Sequence, residues 1–166
     1  ILAERAADHN TNVIVMPSCV EPSRYSQKND YEFHGAPTAV WIGSPATEPY
    51  LQVAAPALLE EHRASGLRLT VISRGQNSLG ELDRMVDRVD WTESTFASAL
   101  ATADFGIMPL PDDEWTRGKC AYKLLQYAAT ALPTIGSGVG ANRGALARLG
   151  GASAGDASQW RDLLAD

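Results

Sequence analysis

Three cations, Arg117, Lys119 and Lys123, stand close together in an otherwise acidic chain. Lys28 is the one lysine that lies elsewhere. From Trp115 to Pro133 no carboxylate offsets the cluster, although the whole chain carries a net charge of −6. At helical spacing Lys119, Lys123, Gln126 and Thr130 share one face. Ala121, Leu124, Leu125, Ala128 and Leu132 share the opposite one, which suits burial on a sheet. A helix over Lys119–Ala131 would begin near Gly118. Its free N–H groups, its positive end and the cationic side chains would then converge on one spot. Such a spot attracts a phosphate or diphosphate. The plain alternative is a surface helix with solvated lysines.

Other candidates for chemistry are weaker. Asp112, Asp113 and Glu114 precede the cationic segment. They offer helix N-terminal charges, acceptors for sugar hydroxyls or metal ligands, but no histidine lies near them in sequence, and a structural or solvated role is favoured. Gly136–Ala141 (GSGVGA) fits the G-x-G-x-x-G/A dinucleotide pattern, with Asp156 twenty residues on. Only about 25 residues follow it, too few for the usual two halves, so a glycine loop allowing close backbone approach is the favoured reading. His9, His34 and His62 fall on separate segments, and neither Cys19 nor Cys120 has a nearby histidine in sequence. A Ser-His-Asp or Cys-His nucleophile has no support. Trp91 and Trp115 adjoin candidate ligand loops, where each could stack on a base or simply pack.

Elements that could position these residues alternate in type. Strands are expected at Asn12–Met16, Thr38–Ile42, Leu67–Ile72, Met85–Trp91, Asp104–Leu110, Thr134–Ser137 and, as an edge, Ala152–Ala154. Helices are expected at Glu48–Ala64 (capped by Thr47, stopped by Gly66), Thr95–Ala103 (after Thr92), Lys119–Ala131, Arg143–Leu149 and Ser158–Leu164. Pro22–Asp30 is polar and reads as an exposed loop. Strands alternating with helices specify an α/β fold, a single Rossmann-like, doubly wound parallel sheet. Ligands of such sheets bind beyond the carboxyl ends of the strands. That directs attention to Gly43-Ser44-Pro45, Ser73–Asn77 with Arg74, Trp91-Thr92, Pro111–Gly118 and Gly136–Asn142.

Composition sets the outer bounds. At 166 residues and 45% hydrophobic content the chain suits one packed domain. No apolar run approaches the ~20 residues of a bilayer span. The negative charge argues against a general nucleic-acid binder. Two distant cysteines fit reduced thiols in a cytoplasmic protein. The start, Ile-Leu-Ala-Glu-Arg, has neither Met nor a signal-peptide pattern and reads as part of a longer protein.

The run Asp104–Asn142, DFGIMPLPDDEWTRGKCAYKLLQYAATALPTIGSGVGAN, resembles the C-terminal donor-binding domain of retaining nucleotide-sugar glycosyltransferases of family 4 (group 1), which have the GT-B fold. WIGSPATEPYL (Trp41–Leu51) resembles the first strand, loop and helix of that domain, and Val13–Pro22 the strand and proline turn by which the chain enters it. The resemblance implies that residues 1–166 are one half of a GT-B architecture, without the N-terminal acceptor domain. It implies transfer of a hexosyl group from a UDP- or GDP-sugar to an acceptor hydroxyl of a glycan, lipid or small molecule, with retention and without cofactor or metal. The strand-end loops, the cationic cluster and the resemblance together give the expected donor-binding positions Gly43, Ser44, Arg74, Trp91, Arg117, Gly118, Lys119, Lys123 and Gln126; no catalytic residue is assigned. Gly118 and Gln126 occupy the two positions of the family's E-x7-E motif. Gln126 can still hydrogen-bond a ribose, whereas Gly118 offers no side chain. Gly43-Ser44-Pro45 lacks the usual basic pair, and Gly144 stands where a glutamate is expected. Two alternatives stay open: a non-catalytic nucleotide-binding or scaffold domain of the same fold, and a dinucleotide-binding oxidoreductase domain using Gly136–Ala141. The isolated chain is expected to bind donor weakly and to turn over nothing measurable.

Overall fold

The computed structural model describes residues 2–165. A short helix α1 (Leu2–Ala7) is followed by an irregular stretch holding one 3-10 turn, Pro22–Arg24. Strand β1 (Thr38–Ile42), a 3-10 segment (Pro45–Val53), α2 (Ala55–Ser65) and β2 (Arg68–Ser73) come next. They lead through a 3-10 turn (Gly80–Arg84) to β3 (Val86–Asp90), α3 (Phe96–Ala101) and β4 (Phe105–Met108). The chain then forms α4 (Glu114–Arg117), α5 (Tyr122–Ala129), β5 (Thr134–Ser137), α6 (Ala141–Leu149), β6 (Ala152–Ala154) and α7 (Ala157–Ala165).

All strand pairings are parallel, in the order β3-β2-β1-β4-β5-β6. Alternate residues of the central strands feed two separate cores. Ala39, Trp41, Leu69, Val71 and Ile107 pack with Leu58 and Trp160 of α2 and α7. Val40, Ile42, Ile72 and Met108 pack with Leu100, Leu124 and Leu146 of α3, α5 and α6. A parallel sheet covered on both faces is the doubly wound, Rossmann-like fold that the alternation of strands and helices specifies.

Four local expectations are corrected. Asn12–Met16 is not a strand: no strand pairs with it, and Ile14, Val15 and Met16 are exposed. The expected helix over Glu48–Ala64 is a 3-10 segment and a separate α-helix. Pro49 has no N–H to donate, and Pro56 sits in the first turn of α2, where its missing N–H is harmless. Thr47 is therefore inside the 3-10 segment rather than a cap, while Gly66 does end α2 in the left-handed conformation. The expected helix over Lys119–Ala131 starts at Tyr122, because Asp113 and Thr116 form a capping box that nucleates α4 earlier and Ala121 turns left-handed at φ 59°. Pro22–Asp30 is not wholly exposed: Tyr25 is half-buried, and Lys28 tucks against Asp104 at 3.7 Å.

The strand order reverses between β1 and β4, and these two strands pair only over Ala39–Phe105 and Val40–Gly106. Beyond Val40 they part. The Tyr127 hydroxyl fills the gap, accepting from the Ile42 N–H at 3.3 Å and donating to the Ile107 carbonyl at 3.0 Å. Its ring lies on Gly106, where a Cβ would come within 2.7 Å. Burial pushes the phenol well above its ordinary range, so it remains a protonated donor. Tyr127→Phe would leave both backbone groups without this partner, and a loss of about 1–3 kcal/mol is expected. Urea unfolding followed by circular dichroism tests this: an unchanged midpoint would mean that the bridge contributes nothing.

Candidate functional site

The parting of β1 and β4 opens a crevice at the strands' carboxyl ends, where open α/β sheets bind ligands. Gly43 and Ser44, which leave β1, and Met108 at the end of β4 line it, together with Lys119, Lys123 and Gln126. Gly43 has no room for a side chain: a Cβ would stand 2.4 Å from the Trp41 ring and 2.9 Å from the Lys123 stem. Lys123 is thus folded over β1, its ammonium 5.1 Å from the Trp41 ring centroid. Burial, helped by the charge of Lys119 and opposed by Cys120, lowers its pKa to about 8. Lys119 is not on the helix but in the turn before it. Its ammonium lies 5.4 Å from the Tyr50 ring and 5.6 Å from the Trp115 ring. Among the described residues neither lysine has a carboxylate within ion-pair distance.

Arg117 does not join them. Its guanidinium pairs with Asp112 at 2.6 Å, outside the crevice lining. Asp112 is held below its usual range chiefly by that hydrogen bond. Asp113 accepts from the Thr116 N–H at 2.7 Å, and Glu114 meets Arg5 at 2.6 Å. All three carboxylates that precede the cationic segment are thereby engaged within the protein. Gly118 lines the crevice through its backbone. Gln126 is buried rather than on a solvent face, as is Thr130, whereas Ala128 is exposed.

A second hollow of about 510 Å³ continues from the crevice over the ends of β2 and β3. It shares Gly43, Ser44, Tyr122 and Gln126 with the crevice. Trp91 and Phe96 stack there at 6.0 Å, and Tyr25 meets Phe96 edge-on at 5.4 Å. Arg74 lies over the Trp91 ring at 5.4 Å and donates to the Trp91 carbonyl at 3.1 Å. Burial raises the Tyr25 phenol, with Gln126 beside it acting in the opposite direction. Arg24 and Glu93 form an ion pair at its rim. Sequence reasoning found Arg74 and Trp91 from their place after strands. It missed Tyr25, Arg24, Phe96, Tyr122 and Glu93. Tyr25 and Arg24 come from a polar stretch with no periodic signal, and Phe96 read only as part of a helix.

The loops after β1 and β2 are clamped together behind these hollows. The Glu48 side chain is buried and receives two Arg88 nitrogens at 3.2–3.3 Å. Arg88 also donates to the carbonyls of Gly75 at 2.7 Å and Asn77 at 2.6 Å. Gly75 admits no side chain, since a Cβ would stand 2.0 Å from the Glu48 carboxylate.

The glycine run Gly136–Ala141 begins inside β5 and leaves its end, rather than following β1, where a dinucleotide fold carries its fingerprint. Its glycines serve packing: a Cβ at Gly140 would strike the Arg117 carbonyl at 2.5 Å, and one at Gly138 the Ser153 hydroxyl at 2.6 Å. Asp156 accepts from the Gln159 N–H at 2.9 Å and caps α7.

No protein-family model and no curated protein matches the chain. Among solved structures it is similar to AviGT4, a glycosyltransferase involved in avilamycin A biosynthesis, with 20% identity and a TM-score of 0.65. The match covers 98% of this chain and 52% of that one, so this chain spans about half the length of that glycosyltransferase and has the fold of that half.

Removing Arg88 strands the buried Glu48 carboxylate and frees both loops. Arg88→Ala is expected to lose on the order of 3 kcal/mol. Limited proteolysis is expected to show new cleavage between Arg74 and Gly80. A variant as stable and as resistant as the parent would show that the clamp holds neither loop.

Proposed function

We propose that the crevice binds the diphosphate of an activated sugar and that the chain is the donor half of a glycosyltransferase. The observation that carries this is Lys123, a cation folded over the end of β1 at the switch point, with no carboxylate among the described residues close enough to neutralise it. Lys119 stands beside it. The amino end of α5, which no side chain caps, adds its free N–H groups. The adjoining aromatic hollow suits a nucleoside: Arg74, laid over the Trp91 ring, supplies a flat face for a base, and Gln126 supplies amide hydrogen bonds for a ribose.

Chemically the need is simple. The bond between the anomeric carbon and the diphosphate oxygen breaks, the diphosphate gains charge, and the acceptor oxygen takes its place on carbon while losing its proton. Preorganised cations stabilise the charge that develops on the leaving group. Hexosyl specificity, a UDP- or GDP-sugar donor and retention rest on the sequence resemblance of Asp104–Asn142. Acceptor binding belongs to a second domain, so this chain alone is expected to turn over no nucleotide sugar.

Titration calorimetry with UDP, GDP and ADP provides the direct test. Binding of at least one is expected, weakened more than tenfold by Lys119→Ala combined with Lys123→Ala. No heat with any nucleotide would favour a scaffold role instead, and an unchanged affinity in the double variant would remove the lysines from the site.

Affinity has a pH signature of known sign. Free Lys123 is charged below pH 8 and loses its proton as pH rises through 8. A bound diphosphate favours the charged form, so affinity is expected to fall above pH 8, by up to about tenfold per pH unit. Lys123→Arg keeps the charge and should flatten the profile between pH 7 and 9. A parent profile that is already flat would exclude Lys123 from anion binding.

A further inference from the structure

Trp115 is 75% exposed, an unusual place for the largest apolar side chain. Its backbone is nonetheless fixed. Asp113 caps the short helix that carries it, and the Thr116 hydroxyl ties that helix to the Pro111 carbonyl at 2.6 Å. The indole is therefore presented on a rigid support rather than on a loose loop. It lines an open hollow of about 900 Å³ together with Arg5, Asp8, His9, Glu114 and Lys119.

This hollow continues the crevice: Gly118 and Lys119 line both. The aromatic hollow continues the crevice on the other side through Gly43, Ser44, Tyr122 and Gln126. Three contiguous spaces result, with the paired lysines in the middle. A nucleotide sugar has the same order of parts, with its diphosphate between the nucleoside and the glycosyl group.

We infer that the hollow beside Lys119, with Trp115 as its platform, receives the glycosyl group of the activated sugar. This rests on the proposed diphosphate site. A pyranose ring has one face of C–H groups and an edge of hydroxyls. The first packs on an indole, and the second needs polar partners around it. Asp8 and His9 supply polar groups at the rim, and Arg5 and Glu114, though paired with each other at 2.6 Å, keep further donors and acceptors there. Trp115 is thus a positioning residue for the sugar, in addition to the face it offers Lys119 at 5.6 Å.

The experiment compares each sugar nucleotide with its own parent. Dissociation constants for UDP-glucose, UDP-galactose and GDP-mannose, and for UDP and GDP, are measured by calorimetry on the parent chain, Trp115→Ala and Trp115→Phe. In Trp115→Ala the ratio of the sugar-nucleotide constant to the diphosphate constant is expected to rise at least fivefold for a donor that binds, over and above any weakening of the diphosphate constant itself as Lys119 loses the Trp115 face. Trp115→Phe retains an aromatic face and is expected to keep the ratio within twofold of the parent. The inference is overturned if the ratio is unchanged in Trp115→Ala for every donor that binds. It is also overturned if both constants weaken in proportion, which would leave Trp115 no role beyond the support of Lys119. Should the parent chain bind neither diphosphates nor sugar nucleotides, the diphosphate site itself fails, and the platform fails with it. Trp115 is exposed, so an unchanged melting temperature is expected to confirm that each variant is folded.

Discussion

The parting of β1 and β4 is the constraint on which the rest of the molecule depends. A doubly wound sheet must reverse its strand order once, and at the reversal two neighbouring strands send their connections to opposite faces. Here the pairing stops after Val40 and Gly106, which leaves backbone groups in the interior without ladder partners. Tyr127 answers both with one hydroxyl. The same residue fixes α5 against β4, because its ring occupies the space that Gly106 vacates. Lys123 is one helical turn before Tyr127, so anchoring the tyrosine places the lysine over the opening. Sheet topology, one hydroxyl and one missing side chain therefore determine where the cation sits.

Electrostatics separates the site from the remaining surface. Elsewhere in this acidic chain several cations meet carboxylates: Arg117 with Asp112, Arg88 with Glu48, Lys28 with Asp104. Lys119 and Lys123 are instead held by the faces of Tyr50, Trp115 and Trp41. An aromatic face attracts a cation without cancelling its charge. Packing of this kind orders the two ammonium groups and leaves their charge available to a ligand. Crowding them together over apolar surface has a price in desolvation, visible in the lowered pKa of Lys123, which the dianion of the proposed function would offset.

The sequence carried the architecture more clearly than the local structure of the site. Buried parallel strands are short, nearly continuous apolar runs, and TAVWI, LRLTVI and DFGIMPL stand out against their surroundings for that reason. Once strands and helices alternate, the rule for open sheets points to the loops at their carboxyl ends, which is how Gly43, Ser44, Arg74 and Trp91 were legible. The segment around the lysines was not. A periodic pattern over Lys119–Ala131 hides a break that depends on a capping box upstream and on a left-handed alanine, and alanine carries no sequence signal for that conformation. Gln126 and Thr130 read as one polar face with Lys123, yet both are buried. Asn12–Met16 has the composition of a strand, but among the described residues no strand pairs with it. Tyr25 and Arg24 reach the site only through the path of an irregular segment, which no periodicity encodes.

Two uncharged positions explain how the cations stay available. Gly118 adjoins Lys119, and Gln126 lies one helical turn from Lys123. A carboxylate at Gly118 would stand next to Lys119 and reduce the field that the pair presents. A carboxylate at position 126 would be worse placed, since Gln126 is buried and an ionised group there would be drawn to Lys123 to recover its lost hydration. Glycine and glutamine add no negative charge beside Lys119 and Lys123 at the crevice, as the proposed diphosphate site requires. Under the proposed function, the absence of a carboxylate at these two positions favours anion binding and leaves sugar hydroxyls to other polar residues, such as Asp8 at the neighbouring hollow.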